Sequence, residues 1–153
     1  MLDISSVRQF IVQSVPFNQV LGITIATITP DAVEVILPET PEQRNHVGTI
    51  HAAAQFGLGE ATSGTLVVAA FGDLFQQGIV PLAAKAAITY RKAATGELRG
   101  KATLSQQEQS RVRDEIAQGQ RARFTIPVQL TKSDGTVTTE LEVSWTLLKP
   151  QEG

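Results

Sequence analysis

The chain has 153 residues, 42% of them hydrophobic and 18% charged, with a net charge of −2; these are the proportions of an ordinary globular protein, and the length predicts one domain over 1–153. Its 13 Lys and Arg are spread out and it has one Tyr and one Trp, so neither the basic face nor the stacking surface of a nucleic-acid binder is present. Having no Cys, it has no disulfide, no thiolate metal site and no Cys nucleophile.

At the start of the chain, Ile4, Val7, Phe10 and Ile11 fall at helical spacing, which predicts an amphipathic helix over residues 3–14 closed by Pro16. Asp3 and Arg8 interrupt the apolar pattern between Met1 and Val15, unlike a secretory leader, so a cytoplasmic protein is expected. Gly22 to Thr29 and Ala32 to Leu37 are β-rich runs on either side of Pro30-Asp31, the pattern of a hairpin. Pro38 to Arg44 reads as a loop. From Asn45 to Phe71 the chain reads as one long, nearly all-apolar helix, and a helix hydrophobic all round is buried. Gln55, Glu60, Thr62, Ser63 and Thr65 interrupt it too often for a membrane span.

Beyond that helix, Leu82 to Arg91 and Glu97 to Leu104 alternate as two half-buried strands joined near Gly96. Ser105-Gln106-Gln107-Glu108 has the form of a capping box, which predicts a short polar helix from about residue 106 to Gln118, ended by Gly119. The last two strands place Ala122, Phe124, Ile126, Val128 and Leu130 on one face and Val137, Thr139, Leu141, Val143, Trp145 and Leu147 on another, with Ser133-Asp134-Gly135 as the turn. The simplest assembly is an α+β fold in which a six-stranded antiparallel sheet curls around the buried helix.

One residue in that helix is out of place. Between His51 and Asp73 the sole charged side chain is Glu60, and its neighbours three and four residues away are Phe56, Gly57, Ser63 and Gly64. A buried carboxylate without a cation is costly unless other groups satisfy it or it performs chemistry. The plainer alternative is a carboxylate tied to Thr62, Ser63 or an amide across an interface.

The run Asn45-x-x-Gly48-x-x-His51, with Glu60 nine residues on, resembles the helix-start motif of acyl-CoA thioesterases of the phenylacetate-pathway and 4-hydroxybenzoyl-CoA type, which have the hotdog fold. Tyr90 to Leu98 resembles that family's strand lining the acyl-CoA channel. The combination of Gly-Thr-Ile-His-Ala, Glu-Ala-x-Ser-Gly and the extra polar helix is most similar to a little-characterised thioesterase branch. The resemblance implies Asn45, Gly48, His51, Ala52 and Glu60 as the catalytic group and Ala53, Gln55, Tyr90, Arg91 and Lys92 as substrate contacts. It also implies an acyl-CoA thioester substrate, no cofactor, no metal, and a homodimer or dimer of dimers. Ala52 and Ala53 stand where well-studied members carry two glycines, and Lys92 where they carry proline.

Thioester hydrolysis needs a group that activates water or attacks directly, and donors for the oxyanion. The amides around His51, Ala52 and Ala53 at the helix start have no intrahelical acceptors and carry the positive end of the dipole. Glu60 is the candidate base or nucleophile, its pKa raised by burial; His51 and Asn45 are candidate orienting donors, or alternatively a cap and a loop residue. Nine residues of helix give a net rotation near ~180° and a rise of about 13 Å, so Glu60 and His51 of one chain do not meet at one thioester. Two antiparallel helices across a two-fold axis would join them, with Gly57, Gly59 and Gly64 allowing close approach. Arg91, Lys92, Arg99 and Lys101 are candidates for coenzyme A phosphates or, equally, a solvated strand face. Two other functions compete: a 3-hydroxyacyl thioester dehydratase, since the spacing of His46 and Glu60 resembles that of the proton-moving pair in hotdog dehydratases, and a non-catalytic acyl-CoA binding module in which the methyls of Ala52 and Ala53 bar a productive pose. His46 and His51 lack the nearby carboxylates of a metal site.

Overall fold

The organising element of the computed structural model, which describes residues 3–150, is the helix α3 (Ala52–Phe75). It begins at Ala52 and not at Asn45, because local bonding captures the preceding segment. Asn45 Oδ1 accepts from the Val47 and Thr49 amides at 3.0 and 3.1 Å, and Gly48 takes a φ of 79° that suits glycine. At its other end α3 runs past Phe71 to Phe75, since burial of Leu74 outweighs the low helix propensity of Gly72.

Ahead of it lie α1 (Ile4–Ser14), whose N-cap Asp3 accepts from the Ser5 amide at 2.8 Å, and α2 (Pro16–Leu21). Pro16 therefore starts a helix as well as ending one, because its fixed φ and missing N–H suit the first helical position. The strands β1 (Thr24–Ile28) and β2 (Ala32–Leu37) form the expected hairpin, and a 3-10 turn at Pro41–Gln43 follows. After α3 come β3 (Val80–Tyr90), β4 (Leu98–Thr103), α4 (Gln106–Ala117), β5 (Ala122–Lys132) and β6 (Val137–Leu148).

All pairings are antiparallel, in the order β1-β2-β4-β5-β6-β3, a six-stranded sheet wrapped on α3 in the hotdog arrangement. Strands β3 and β4 do not pair, contrary to their reading as neighbours joined near Gly96. The segment between them crosses the start of α3, where Ala94 O accepts from the Ile50 amide at 2.8 Å, and β3 lies against β6 at the far edge. Alternation reveals a strand but not its partner. Only part of β3 is half-buried: Ala86 and Ile88 pack against the core, but from Leu82 to Lys85 the strand is exposed on both faces.

The inner face of the sheet closes tightly on α3. Leu58, Leu66 and Phe71 are fully buried, as are Leu37, Leu98, Ile126, Leu130 and Leu147 opposite them. A Cβ at Gly59 would overlap both Cδ atoms of Leu141, and one at Gly57 would come 2.8 Å from Leu21 Cδ1. Both glycines thus serve packing within the chain, where they were expected to allow close approach of a second helix. Helix α4 is capped by Ser105, which accepts from the Glu108 amide at 3.2 Å. It is fastened to α3 by Arg113, bonded to both Asp73 oxygens at 2.8 Å and to Ala70 O at 2.6 Å, and stacked 5.6 Å above Phe71. No helix among the described residues is long and apolar enough to cross a membrane.

Candidate active site

The start of α3 is where the turn chemistry of the sequence places functional groups. His51 is the N-cap, and its Nδ1 accepts from the Ala53 amide at 2.9 Å, which leaves the proton of the neutral ring on Nε2. The His51 amide itself donates to Gln43 O at 2.7 Å. Of the three amides expected to polarise a carbonyl, those of His51 and Ala53 are therefore occupied. The Ala52 amide has no acceptor among the described residues, and Ala52 is exposed.

Ala52 lines a cleft of about 320 Å³ together with Asn45, Gln55, Tyr90, Arg91 and Lys92. Six of the ten candidate site residues thus converge in one place, brought there by the Asn45–Ile50 turn, the first turn of α3 and the exit of β3. Several are held by neighbours. Asn45 Nδ2 donates to Thr49 Oγ1 at 2.8 Å, the Tyr90 hydroxyl donates to Ala52 O at 3.1 Å, and Arg91 pairs with Glu140. Gln55 is buried, donating to Ile50 O at 2.9 Å and accepting from Thr139. Lys92 has no ion-pair partner among the described residues, whereas Arg99 is taken up by Glu34 and Glu97. Gly48 sits on the exposed turn beside the cleft, its amide donating to Asn45 O at 3.1 Å. His51 and Ala53 face a separate groove with Phe17, Val20 and Gln43.

Glu60 lies elsewhere. It opens into an apolar cavity of about 380 Å³ lined by Phe10, Val15, Val68, Phe75 and Trp145 among others, and no residue lines both this cavity and the cleft at Ala52. Among the described residues nothing donates to its carboxylate; Ser63 Oγ bonds to Glu60 O, the main-chain carbonyl, at 2.8 Å and accepts from Trp145 Nε1 at 3.0 Å. The alternative of a carboxylate satisfied by Thr62 or Ser63 within the chain is thereby removed. Burial without a compensating donor pushes the Glu60 carboxyl above its ordinary range. His46 is exposed and lines neither cavity.

Residues 5–147 match the family model described as a domain of unknown function, DUF4442. The chain belongs to the DUF4442 family. Among solved structures, this DUF4442 chain superposes with a TM-score of 0.86 on a Pseudomonas aeruginosa protein described as of unknown function and a probable thioesterase, at 23% identity over 97% of each chain. It superposes on a Haemophilus influenzae thioesterase with a TM-score of 0.74, at 12% identity over 99% of this chain and 94% of that one. Both likenesses are of fold. No curated protein matches it.

Parts of the candidate site have no signature in the sequence. The walls supplied by Phe10, Val15 and Phe75 carry no local signal, because each is an ordinary apolar residue until α1, α2 and the end of α3 are brought together. Thr139, which fastens Gln55, was visible only as a polar residue on the apolar face of its strand. Trp145 lines the Glu60 cavity, whereas Phe71 packs in the core 5.4 Å from Phe124 and Phe56 is exposed.

Proposed function

We propose that this DUF4442 protein hydrolyses an acyl-CoA or acyl-carrier thioester, with Glu60 as general base or nucleophile and the Ala52 amide as oxyanion donor. The observation that carries the reading is the half-buried Glu60 carboxylate, which has no hydrogen-bond donor among the described residues, is raised in pKa by burial, and faces a cavity large enough for an acyl group. As a base it would take a proton from water as the oxygen adds to the thioester carbonyl. Negative charge would then collect on the carbonyl oxygen at the Ala52 N–H, and collapse would expel the thiolate, which regains the proton from Glu60.

Ala52 and Glu60 are eight residues apart, about 12 Å along the helix, and face different cavities, so the site is composite. The edge strand β3 supplies a route to it. Its Val80–Pro81 end borders the Glu60 cavity and its Tyr90 end borders the Ala52 cleft. Antiparallel pairing of β3 with a second copy about Lys85 would bring opposite ends together, joining the Ala52 cleft of one protomer to the partner's Glu60. Pairing would also cover an edge that is exposed on both faces.

The test is thiol release from a panel of acyl-CoA esters by the purified protein and its Glu60→Gln variant. Glu60→Gln should hydrolyse at least about a hundredfold more slowly; a near-wild-type rate removes the carboxylate from the mechanism. Thermal stabilisation by acyl-CoA without thiol release, unchanged in Glu60→Ala, would identify a binding module instead.

A further inference from the structure

The cavity beside Glu60 differs chemically from the cleft at the helix start. Glu60 is the one charged residue in its lining, whereas the cleft carries Arg91 and Lys92. A coenzyme A arm, rich in amides and phosphates, suits the cleft and not the cavity. The cavity follows one face of α3 through Glu60, Gly64 and Val68, positions four apart and so stacked along the helix, with Phe75 and Ile79 beyond. Helices α1 and α2 close its outer side and are fastened there. The Arg8 guanidinium donates to Ile25 O at 2.6 Å and Ala26 O at 3.3 Å, and Asn18 Nδ2 donates to Ile11 O at 3.3 Å.

We propose that this cavity holds the acyl group of the substrate, that the acyl group is an uncharged hydrocarbon, and that Gly64 sets how long it can be. The position of the thioester rests on the hydrolase reading above; the chemistry of the cavity does not. An acyl group ending in a carboxylate would bring a second negative charge into a site with no cation, beside Glu60. Each buried methylene, by contrast, gains roughly fourfold in binding. Since an apolar cavity of ~150 Å³ accepts benzene, about 380 Å³ has room for on the order of a dozen carbons. Gly64 stands one turn from Glu60, and a Cβ there would lie 3.5 Å from the Trp145 ring, an ordinary contact. A larger side chain at 64 therefore grows into the space the acyl group would occupy.

The chain's sole tryptophan, Trp145, lines the same cavity and reports its filling independently of turnover. Two measurements test the proposal together. In the first, kcat/KM is compared for acetyl-, octanoyl-, phenylacetyl- and succinyl-CoA; octanoyl or phenylacetyl should exceed acetyl and succinyl by at least about fiftyfold, and which of the two leads tells a linear from an aryl group. Gly64→Leu should lower octanoyl relative to acetyl by about tenfold or more. In the second, Trp145 emission of the wild-type protein should change with the non-hydrolysable octyl thioether of coenzyme A, and not with coenzyme A alone or its carboxypropyl thioether. Equal use of succinyl-CoA, or an equal emission change with coenzyme A alone, overturns the proposal. Turnover without chain preference or emission response sinks the acyl assignment and leaves the hydrolase; an emission response to the octyl thioether with no thiol release from any ester does the reverse.

Discussion

Replacing Ala52 by proline isolates a single hydrogen from the rest of the site. Ala52 is the first residue of α3, where proline is favoured, and His51 before it has φ −60° and ψ 142°, the extended conformation that a residue preceding proline requires. The Ala52 amide has no acceptor to lose among the described residues, and the substitution keeps the carbonyl that receives the Tyr90 hydroxyl. Stability should therefore hold or rise by about 0.4–1 kcal/mol through the stiffer unfolded chain. Activity should fall by about 10²–10³ in kcat, the usual cost of one oxyanion donor and equivalent to ~2.7–4 kcal/mol. Urea unfolding and a thiol-release assay on the same preparation check the two halves. If Ala52→Pro folds and turns over like the wild type, the oxyanion assignment is wrong. Mixing Ala52→Pro with Glu60→Gln subunits extends the test. Half the dimers would be mixed, each with one intact composite site, so about a quarter of wild-type activity should return; no recovery places both groups on one protomer.

Two stability predictions follow from the same geometry. Because burial raises the Glu60 pKa above its ordinary 4.5, the folded chain holds a proton that the unfolded chain has lost between that value and the raised one. Wild-type stability therefore falls as pH rises through this window, by at most ~1.4 kcal/mol per pH unit and less where solvent reaches the carboxylate. Glu60→Gln does not titrate, so its stability relative to wild type should rise between pH 4 and pH 8 in denaturant titrations; a constant difference would reveal a partner for the carboxylate. The helix glycines should separate in the same assay. Gly59→Ala would overlap Leu141, at a cost of about 1–3 kcal/mol only partly offset by the ~1 kcal/mol gained in helix propensity, whereas Gly64→Ala meets nothing closer than 3.5 Å and should stabilise. A stabilised Gly59→Ala would refute the close helix–sheet approach.

Local patterns carried the elements of this protein, and they did so for physical reasons. Period-two alternation in β5 and β6 follows from one buried face, the all-apolar α3 from burial on every side, and the ends of α4 from Ser105 and Gly119. The lone acid at Glu60 was legible too, because charge on an apolar helix stands out whatever surrounds it. What failed were inferences about partners. The pairing of β3 with β6 and the filling of Gly57 and Gly59 by Leu21 and Leu141 depend on residues distant in sequence. The capture of the Ala53 amide by His51 is local, the cap that the sequence offered as an alternative, and helical spacing already kept Glu60 from the start of its own helix; that the two open into different cavities is decided by the elements packed around α3. Alternation and helical period report which side of a segment is apolar, since that is set by backbone geometry alone. Which segment meets that side is decided only when side-chain volumes close on one another, and so the shape of the Glu60 cavity, walled by α1, α2 and the end of α3, belongs to the tertiary structure.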